Sequence, residues 1–326
     1  MDYINYVKQS PMQGMTGMWG GVGSNLIGAA ADPDPGETEY FGGRGLLTVG
    51  GQNEVNYWSI ENTNNASNFG EMSNSEITNN GSAANTENRC VWAGGDSSAD
   101  TEMMYLTSNS SSSASDFGDM TIERHAPVSS SNGVRQGIAC GSGPGGTNLS
   151  SIEYITPAST GNGTNFGNAT VARHGRDSVN GGAMMLMANG QDPHTDVIDY
   201  VHLSTTGNAS NFADTTSART FGSGCNSDPG SGQLRGVFCA GFSTMSQAAD
   251  YITIATQANA LDWGELLQGY FYRCASGTNG PRGYVAGGTG GGNELTYMTI
   301  ESTNTCVAGG DIMNSGDAVA SQGPAS

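Results

Sequence analysis

Residues 154–173 read Y-I-T-P-A-S-T-G-N-G-T-N-F-G-N-A-T-V-A-R, and residues 200–219 read Y-V-H-L-S-T-T-G-N-A-S-N-F-A-D-T-T-S-A-R. The frame recurs along the chain. A tyrosine in a short β-like run stands at Tyr57, Tyr105, Tyr154, Tyr200, Tyr251 and Tyr297, at separations of 48, 49, 46, 51 and 46 residues. Twelve residues after each of the first five lies an aromatic: Phe69, Phe117, Phe166, Phe212 and Trp263. A fixed internal offset within a drifting repeat length describes a structural unit with elastic outer loops.

A second landmark precedes each tyrosine. It is a short apolar run ending in Gly-Gly or a near variant: LLTVGG (46–51), CVWAGG (90–95), IACGSG (138–143), MLMANG (185–190), VFCAGF (237–242), YVAGG (284–288) and CVAGG (306–310). These runs read as strands, and the glycines at Gly51, Gly95, Gly288 and Gly310 as the points where the backbone turns with positive φ or close approach. The tyrosine runs alternate, as a strand with one wet face does. T-G-N-A-S-N-F reads as a polar loop whose Phe plugs back between units. T-V-A-R reads as a third strand, followed by a Ser/Gly/Asn loop and a weak fourth strand.

Three to four short strands in each repeat match one blade of a β-propeller, and such blades bury their faces only against neighbours in a ring. A β-solenoid would need shorter, stricter coils. The last unit is cut short, because only 11 residues separate Tyr297 from Gly309. Pairing of the C-terminal piece with the first blade would close the ring. The expectation is an all-β propeller over residues 45–326, with six blades and seven as the alternative count. Residues 1–44 lie outside the repeat. Their Met12, Met15, Met18 and Trp19, set in Gly-rich sequence, read as an arm that docks on another subunit, with a flap on the propeller as the alternative.

The formal net charge is −19, and Lys8 is the single lysine. That balance repels phosphate backbones, so nucleic acid is not an expected partner. No apolar run reaches the length of a membrane span, and the N-terminus lacks the basic end and apolar block of a secretory signal. The six cysteines form no C-x-x-C pair and read as buried free thiols.

Eight of the ten arginines are locked to the repeat. Arg44, Arg89, Arg135, Arg235 and Arg282 lie five or six residues before a Gly-Gly position, and Arg124, Arg173 and Arg219 lie seven after the repeat Phe. Contacts between blades are the expected role, with a basic ligand patch as the alternative. His125 and His174 occupy equivalent repeat positions. His194 and His202 do not have a metal-ligand spacing, and Asp192, Asp196 and Asp199 lack a calcium-loop pattern. Neither a phosphate loop nor a nucleophile elbow is present. The sequence reads as a binding or structural component with no cofactor, rather than an enzyme.

The consensus carried by Tyr154–Arg173, Tyr200–Arg219 and R-G-V-F-C-A-G at 235–241 resembles kelch-like repeat proteins among the virion structural proteins of tailed bacteriophages, notably marine and cyanobacterial phages. The resemblance covers about residues 45–310; the first copy lacks the V-A-R segment and the sixth is truncated. It implies a tail-fibre or tail-associated protein of the virion, assembled in the host cytoplasm. The arm at 1–44 would bind other virion proteins, and the propeller would meet host-surface glycans or neighbouring subunits, with homo-oligomers expected. Low charge and Asn/Ser/Thr-rich loops suit polyhydroxylated ligands. A carbohydrate-binding or glycan-cleaving module and a pure scaffold or decoration protein are the alternatives.

Overall fold

The computed structural model describes residues 43–73, 82–85, 89–95, 100–108, 110–227, 234–242, 247–289, 292–314 and 318–320. Met12, Met15, Met18 and Trp19 lie outside the described residues. By contacts the chain divides into Met1–Glu39 and Tyr40–Ser326. The second unit contains six four-stranded antiparallel sheets.

Each sheet is a blade. Blade 1 holds β1 (Arg44–Val49), β2 (Glu54–Ser59) and β3 (Ser67–Glu71). Blade 2 holds β4 (Ser82–Asn85), β5 (Arg89–Ala93), β6 (Asp100–Thr107) and β7 (Ser115–Arg124). In blade 3 these become β8 (Val128–Ser131), β9 (Gln136–Ala139), β10 (Ser151–Ile155) and β11 (Thr164–Asn168). Blade 4 has β12 (Asp177–Asn180), β13 (Met184–Ala188), β14 (Val197–His202) and β15 (Ser210–Asp214). Blade 5 follows with β16 (Ser223–Asn226), β17 (Arg235–Cys239), β18 (Ala248–Thr253) and β19 (Leu261–Glu265). Blade 6 has β20 (Phe271–Thr278), β21 (Arg282–Thr289), β22 (Glu294–Thr299) and β23 (Val307–Asp311). The last strand, β24 (Ala318–Ala320), returns to blade 1 and pairs antiparallel with β1, in the register Leu47↔Ala320, Thr48↔Val319 and Val49↔Ala318.

The C-terminal strand therefore supplies the inner strand that blade 1 lacks. The inner strands β24, β4, β8, β12, β16 and β20 neighbour one another in ring order. Side chains tie them laterally: Ser178 Oγ donates to Ser129 O at 2.9 Å, Ser276 Oγ to Gly224 O at 2.7 Å, and Asn180 Nδ2 to Ser131 O. Close approach at the axis selects small polar residues such as VSSS in β8, DSVN in β12 and SGCN in β16.

Hydrophobic burial is organised by the seams. One cluster joins Leu46, Val55 and Phe69 of blade 1 to Trp92, Met104 and Leu106 of blade 2. Equivalent clusters join blades 2 and 3, 3 and 4, 4 and 5, and 5 and 6. The sixth joins blade 6, through Tyr284, Leu295 and Tyr297, to Leu47, Val49 and Trp58 of blade 1. Six blades with six seams make a closed ring. Burial of an aliphatic or aromatic side chain contributes about 1.5–3 kcal/mol, so these seams carry most of the favourable free energy.

Two local readings of the sequence are corrected. Phe69, Phe117, Phe166, Phe212 and Trp263 are not in loops; they lie within the outer strands β3, β7, β11, β15 and β19, buried against the seam. The T-V-A-R segment is a strand only in blade 2, where β7 runs on to Arg124. In blades 3 and 4 it leaves the sheet. In all three blades the segment ends at the Gly-Gly corner of its own blade, where the carbonyls of Arg124, Arg173 and Arg219 accept from Gly95 N at 3.2 Å, Gly141 N at 3.2 Å and Gly190 N at 3.0 Å. At that corner the backbone is left-handed: Cys140 has φ 60°, Asn189 φ 59° and Ala240 φ 61°, each followed by a positive-φ glycine. Three copies thus carry a side chain in a conformation that glycine adopts without strain.

Candidate functional site

Repeat-locked polar side chains fill the seams between blades. Arg124, Arg173 and Arg219 are fully buried. Each reaches the carboxylate that precedes the repeat tyrosine of the next blade. Arg124 Nη2 donates to Glu153 Oε1 at 2.8 Å and Arg173 Nη2 to Asp199 Oδ2 at 3.1 Å; Arg219 pairs with Asp250. Backbone carbonyls accept further donors of two of them: Arg124 Nη1 binds Cys140 O at 2.8 Å and Ser151 O at 2.9 Å, and Arg219 Nη1 binds Phe238 O at 3.3 Å and Ala248 O at 3.1 Å, while Nε and Nη1 of Arg173 are buried without a partner among the described residues. Such bonds offset the desolvation of a buried ion pair. After blade 5 the Arg position is Tyr270 and the acid position is Thr296, and Tyr270 Oη donates to Thr296 Oγ1 at 2.7 Å. Burial pushes the Tyr270 phenol up to about 12, so that seam is held by a neutral hydroxyl pair.

The charges are unevenly shared between adjacent seams. Asp199 accepts from Arg173 and also from Arg176, at 3.0 Å, and Arg176 further donates from Nη2 to Met187 O at 2.9 Å and from Nη1 to Cys140 Sγ at 3.0 Å. Burial, reinforced by Arg176, brings Arg173 down to about 10. One seam further on, Arg219 faces Asp250 while Asp177 lies buried beside it and accepts from Asn189 Nδ2 at 2.7 Å. Burial pushes the Asp177 carboxyl up to about 7.

The second arginine class stacks on the repeat tyrosine of its own blade. Arg89, Arg135, Arg235 and Arg282 lie 4.5, 4.5, 4.4 and 4.1 Å above the rings of Tyr105, Tyr154, Tyr251 and Tyr297, and Arg44 lies 5.5 Å above Tyr57. Each also donates to a backbone carbonyl of the next blade, as Arg89 does to Pro157 O at 2.9 Å and Arg282 to Ile60 O at 2.9 Å. Beneath, Tyr57, Tyr105, Tyr154 and Tyr200 meet their Phe partners edge to face at 5.5, 6.0, 6.0 and 5.8 Å. In blade 4 the Arg position is Met184, and the ring of His202 takes up the edge of Tyr200. These arginines join blades; they do not form a basic ligand patch.

The Asn-rich loops have a structural role as well. Asn162 Oδ1 accepts from Asp119 N at 3.1 Å, Asn208 Oδ1 from Asn168 N at 3.0 Å, Asn259 Oδ1 from Asp214 N at 3.3 Å, and Asn65 Oδ1 from Asp311 N at 3.1 Å. Each loop therefore caps the outer strand of the preceding blade, an edge that would otherwise offer unpaired backbone groups. The glycine after the repeat Phe makes room for it: a Cβ on Gly118, at φ 133°, would lie 2.7 Å from Gly161 O. Carbohydrate recognition by these loop asparagines, expected from their composition, competes with this capping.

At one end of the inner strands a chain of backbone bonds links successive blades. Phe221 N donates to Gly175 O at 2.7 Å and Arg273 N to Phe221 O at 3.0 Å. His174 meets the Phe221 ring edge-on at 5.7 Å, and Arg273 lies 5.7 Å above the same ring. His174 Nδ1 lies 2.8 Å from Asn148 Oδ1, and burial lowers its pKa, which keeps the imidazole neutral. Beside them Phe242 is half exposed, its amide bonded to Thr220 O at 2.7 Å. His125 occupies the equivalent corner of blade 2 and bonds through its backbone to Ser142. This axial corner brings together an exposed aromatic, an imidazole and a guanidinium, a set suited to binding a polar ring. Among the described residues no group of three His, Cys, Asp or Glu side chains is arranged to hold a metal ion. Five cysteines are buried and Cys306 is partly so, all free, and burial raises the Cys225 and Cys274 thiols to about 12.

Sequence reasoning passed over Glu153 and Asp250 and weighed Asp199 only as a loop carboxylate, whereas all three are buried partners of the repeat arginines. The signal was present: an acid precedes the repeat tyrosine in the three copies whose predecessor carries the Arg, and not in the other three. Phe221 and Arg273 left no such trace, since neither sits at a repeat landmark.

No protein-family model matches the chain, and no curated protein matches it. Among solved structures it is similar to one titled "Structure of YjhT", with a TM-score of 0.60, 11% identity, and coverage of 82% of this chain and 97% of that one. At that identity the likeness concerns the fold. No helix among the described residues is long and apolar enough to cross a membrane.

Proposed function

We propose that the chain is a structural and binding component of a tailed-phage virion, tail- or fibre-associated, which is attached through its N-terminal segment and displays the propeller toward a host surface or neighbouring subunits. One observation carries this reading: the repeat-locked arginines, acids and loop asparagines are engaged in fixing blade to blade. Such a ring is a rigid display platform, on which recognition falls to residues that depart from the repeat. The resemblance of Tyr154–Arg173 and Tyr200–Arg219 to the repeats of kelch-like phage virion proteins supports the same assignment. The test is immunogold electron microscopy of purified virus particles with antibody to residues 45–326. Label at a fixed point of the tail or fibres is expected. Absence of label from intact and disrupted particles, with abundant protein in infected cells, would overturn the virion assignment.

A second reading, a carbohydrate-binding or glycan-cleaving propeller, is favoured by the axial corner of His174, Phe221, Phe242 and Arg273. Binding on a glycan array that is lost with Phe242→Ser would support it. Turnover of a bound glycan would extend it to catalysis.

A further inference from the structure

The repeat supplies its own control for surface residues. The residue paired with the repeat tyrosine at the start of each outer strand is Ser67, Ser115, Thr164, Ser210, Leu261 and Val307 in blades 1 to 6. Four residues after the repeat aromatic, or after Gly309 at that position in blade 6, lie Ser73, Thr121, Thr170, Thr216, Leu267 and Met313. All twelve positions are exposed. Blades 1 to 4 fill both with Ser or Thr, whereas blades 5 and 6 fill them with aliphatic side chains. Leu261 is 58% exposed, Leu267 50%, Val307 47% and Met313 40%. They are four of the six exposed large apolar side chains among the described residues.

The substitution has no internal cause. Thr170 and Thr216 hydrogen-bond the buried acids Asp199 and Asp250, and the next-blade position opposite Leu267 and Met313 holds no acid. The seam after blade 1 also lacks the acid, having Met104 there, yet it keeps Ser73. At the strand starts no acid is involved in any blade. The two blades adjoin at this edge: Asn304, just before β23, donates its backbone N to Trp263 O at 3.0 Å and accepts at Oδ1 from Glu265 N at 3.4 Å. The segments 261–267 and 307–313 contain no Lys, Arg or His, and Asp262, Glu265 and Asp311 lie exposed between the aliphatic positions. A second copy would set acid against acid on a chain of net charge −19.

We infer that the outer edge of blades 5 and 6 is a protein-docking surface whose partner presents aliphatic side chains flanked by Lys or Arg. Apolar contacts supply the affinity and the acidic flanks select the partner. The inference stands apart from the virion assignment, since it concerns the partner's chemistry and not the particle.

The experiment titrates the full chain with a synthetic peptide of alternating Leu and Lys, with Leu/Glu and Ser/Lys peptides as controls, by isothermal calorimetry. The quadruple variant Leu261→Ser, Leu267→Thr, Val307→Thr, Met313→Thr restores the residues of blades 1–4, and Val134→Thr removes an exposed valine elsewhere. Expected is saturable binding of the Leu/Lys peptide, weakened about tenfold or more in the quadruple variant and by added salt, and unchanged by Val134→Thr. Equal binding by wild type and quadruple variant, or equal binding of the Ser/Lys peptide, would reduce the effect to general attraction by an acidic surface and overturn the inference. Sedimentation that shows a dimer abolished only in the quadruple variant would overturn it too, in favour of a second copy.

Discussion

At the scale of single residues, Asp177 has the clearest measurable consequence. Burial raises its carboxyl from an ordinary 3.8 to about 7, so the folded protein holds this proton more tightly than the unfolded chain. The stabilising contribution is complete below about pH 4 and is lost as pH rises through about 7. Asp177→Asn keeps the Asn189 bond and removes the titration. The variant should be more stable than wild type at pH 8, by on the order of 2–4 kcal/mol, and about equal at pH 4. Urea unfolding midpoints at the two pH values check this. Nothing in the sequence distinguished Asp177 from a solvated aspartate, because its burial depends on β16 closing over it from the next blade. By contrast the tyrosine and Phe positions were legible, since register fixes their 12-residue offset while loops absorb the drift.

At the scale of elements, the two middle strands of each blade were readable, whereas the outer strand read as a polar loop and the inner one only as a weak fourth strand. Strands such as RGVFC and VIDYVH carry apolar alternation, whereas VSSS and SGCN do not, because the crowded axis favours small polar side chains over apolar ones. The seams offer a substitution experiment already present in the molecule. Arg219–Asp250 in one seam is replaced by Tyr270–Thr296 in the next. Asp250→Thr alone leaves a buried guanidinium without its carboxylate and should cost about 3–5 kcal/mol. Adding Arg219→Tyr should recover much of that loss, because the neutral hydroxyl pair is what the following seam uses. Denaturant melts of the two single variants and the double variant give the coupling between the positions directly. Additive losses would show that the two seams differ in more than their polar pair.

For the whole molecule, the decisive element is the shortest strand. Without β24, blade 1 has three strands and β1 exposes an edge; with it, all six blades are four-stranded, and a hydrophobic cluster fills the seam from blade 6 to blade 1. The late start of the first unit signalled this closure in the sequence, but the last unit is not cut short: Val307–Asp311 is the outer strand of a complete blade 6 rather than a further Gly-Gly strand, and the chain beyond it supplies β24. The partners of the ring are less legible, because recognition rests on departures from the repeat, such as Leu261 and Val307, which a consensus reading averages away. A closed six-bladed ring is the claim on which the seams, the capped edges and the docking surface all depend. Thr48 and Val319 face each other in the β1–β24 register, and opposed Cα atoms in an antiparallel pair lie about 4.5–5.5 Å apart, within disulfide range. The variant Thr48→Cys/Val319→Cys, oxidised and run on a non-reducing gel after denaturation, is predicted to form a near-quantitative intramolecular cross-link, with a raised melting temperature that reducing agent reverses. Failure of the two positions to cross-link in the folded protein, with Thr48→Cys freely labelled by a thiol reagent, would contradict the closed ring.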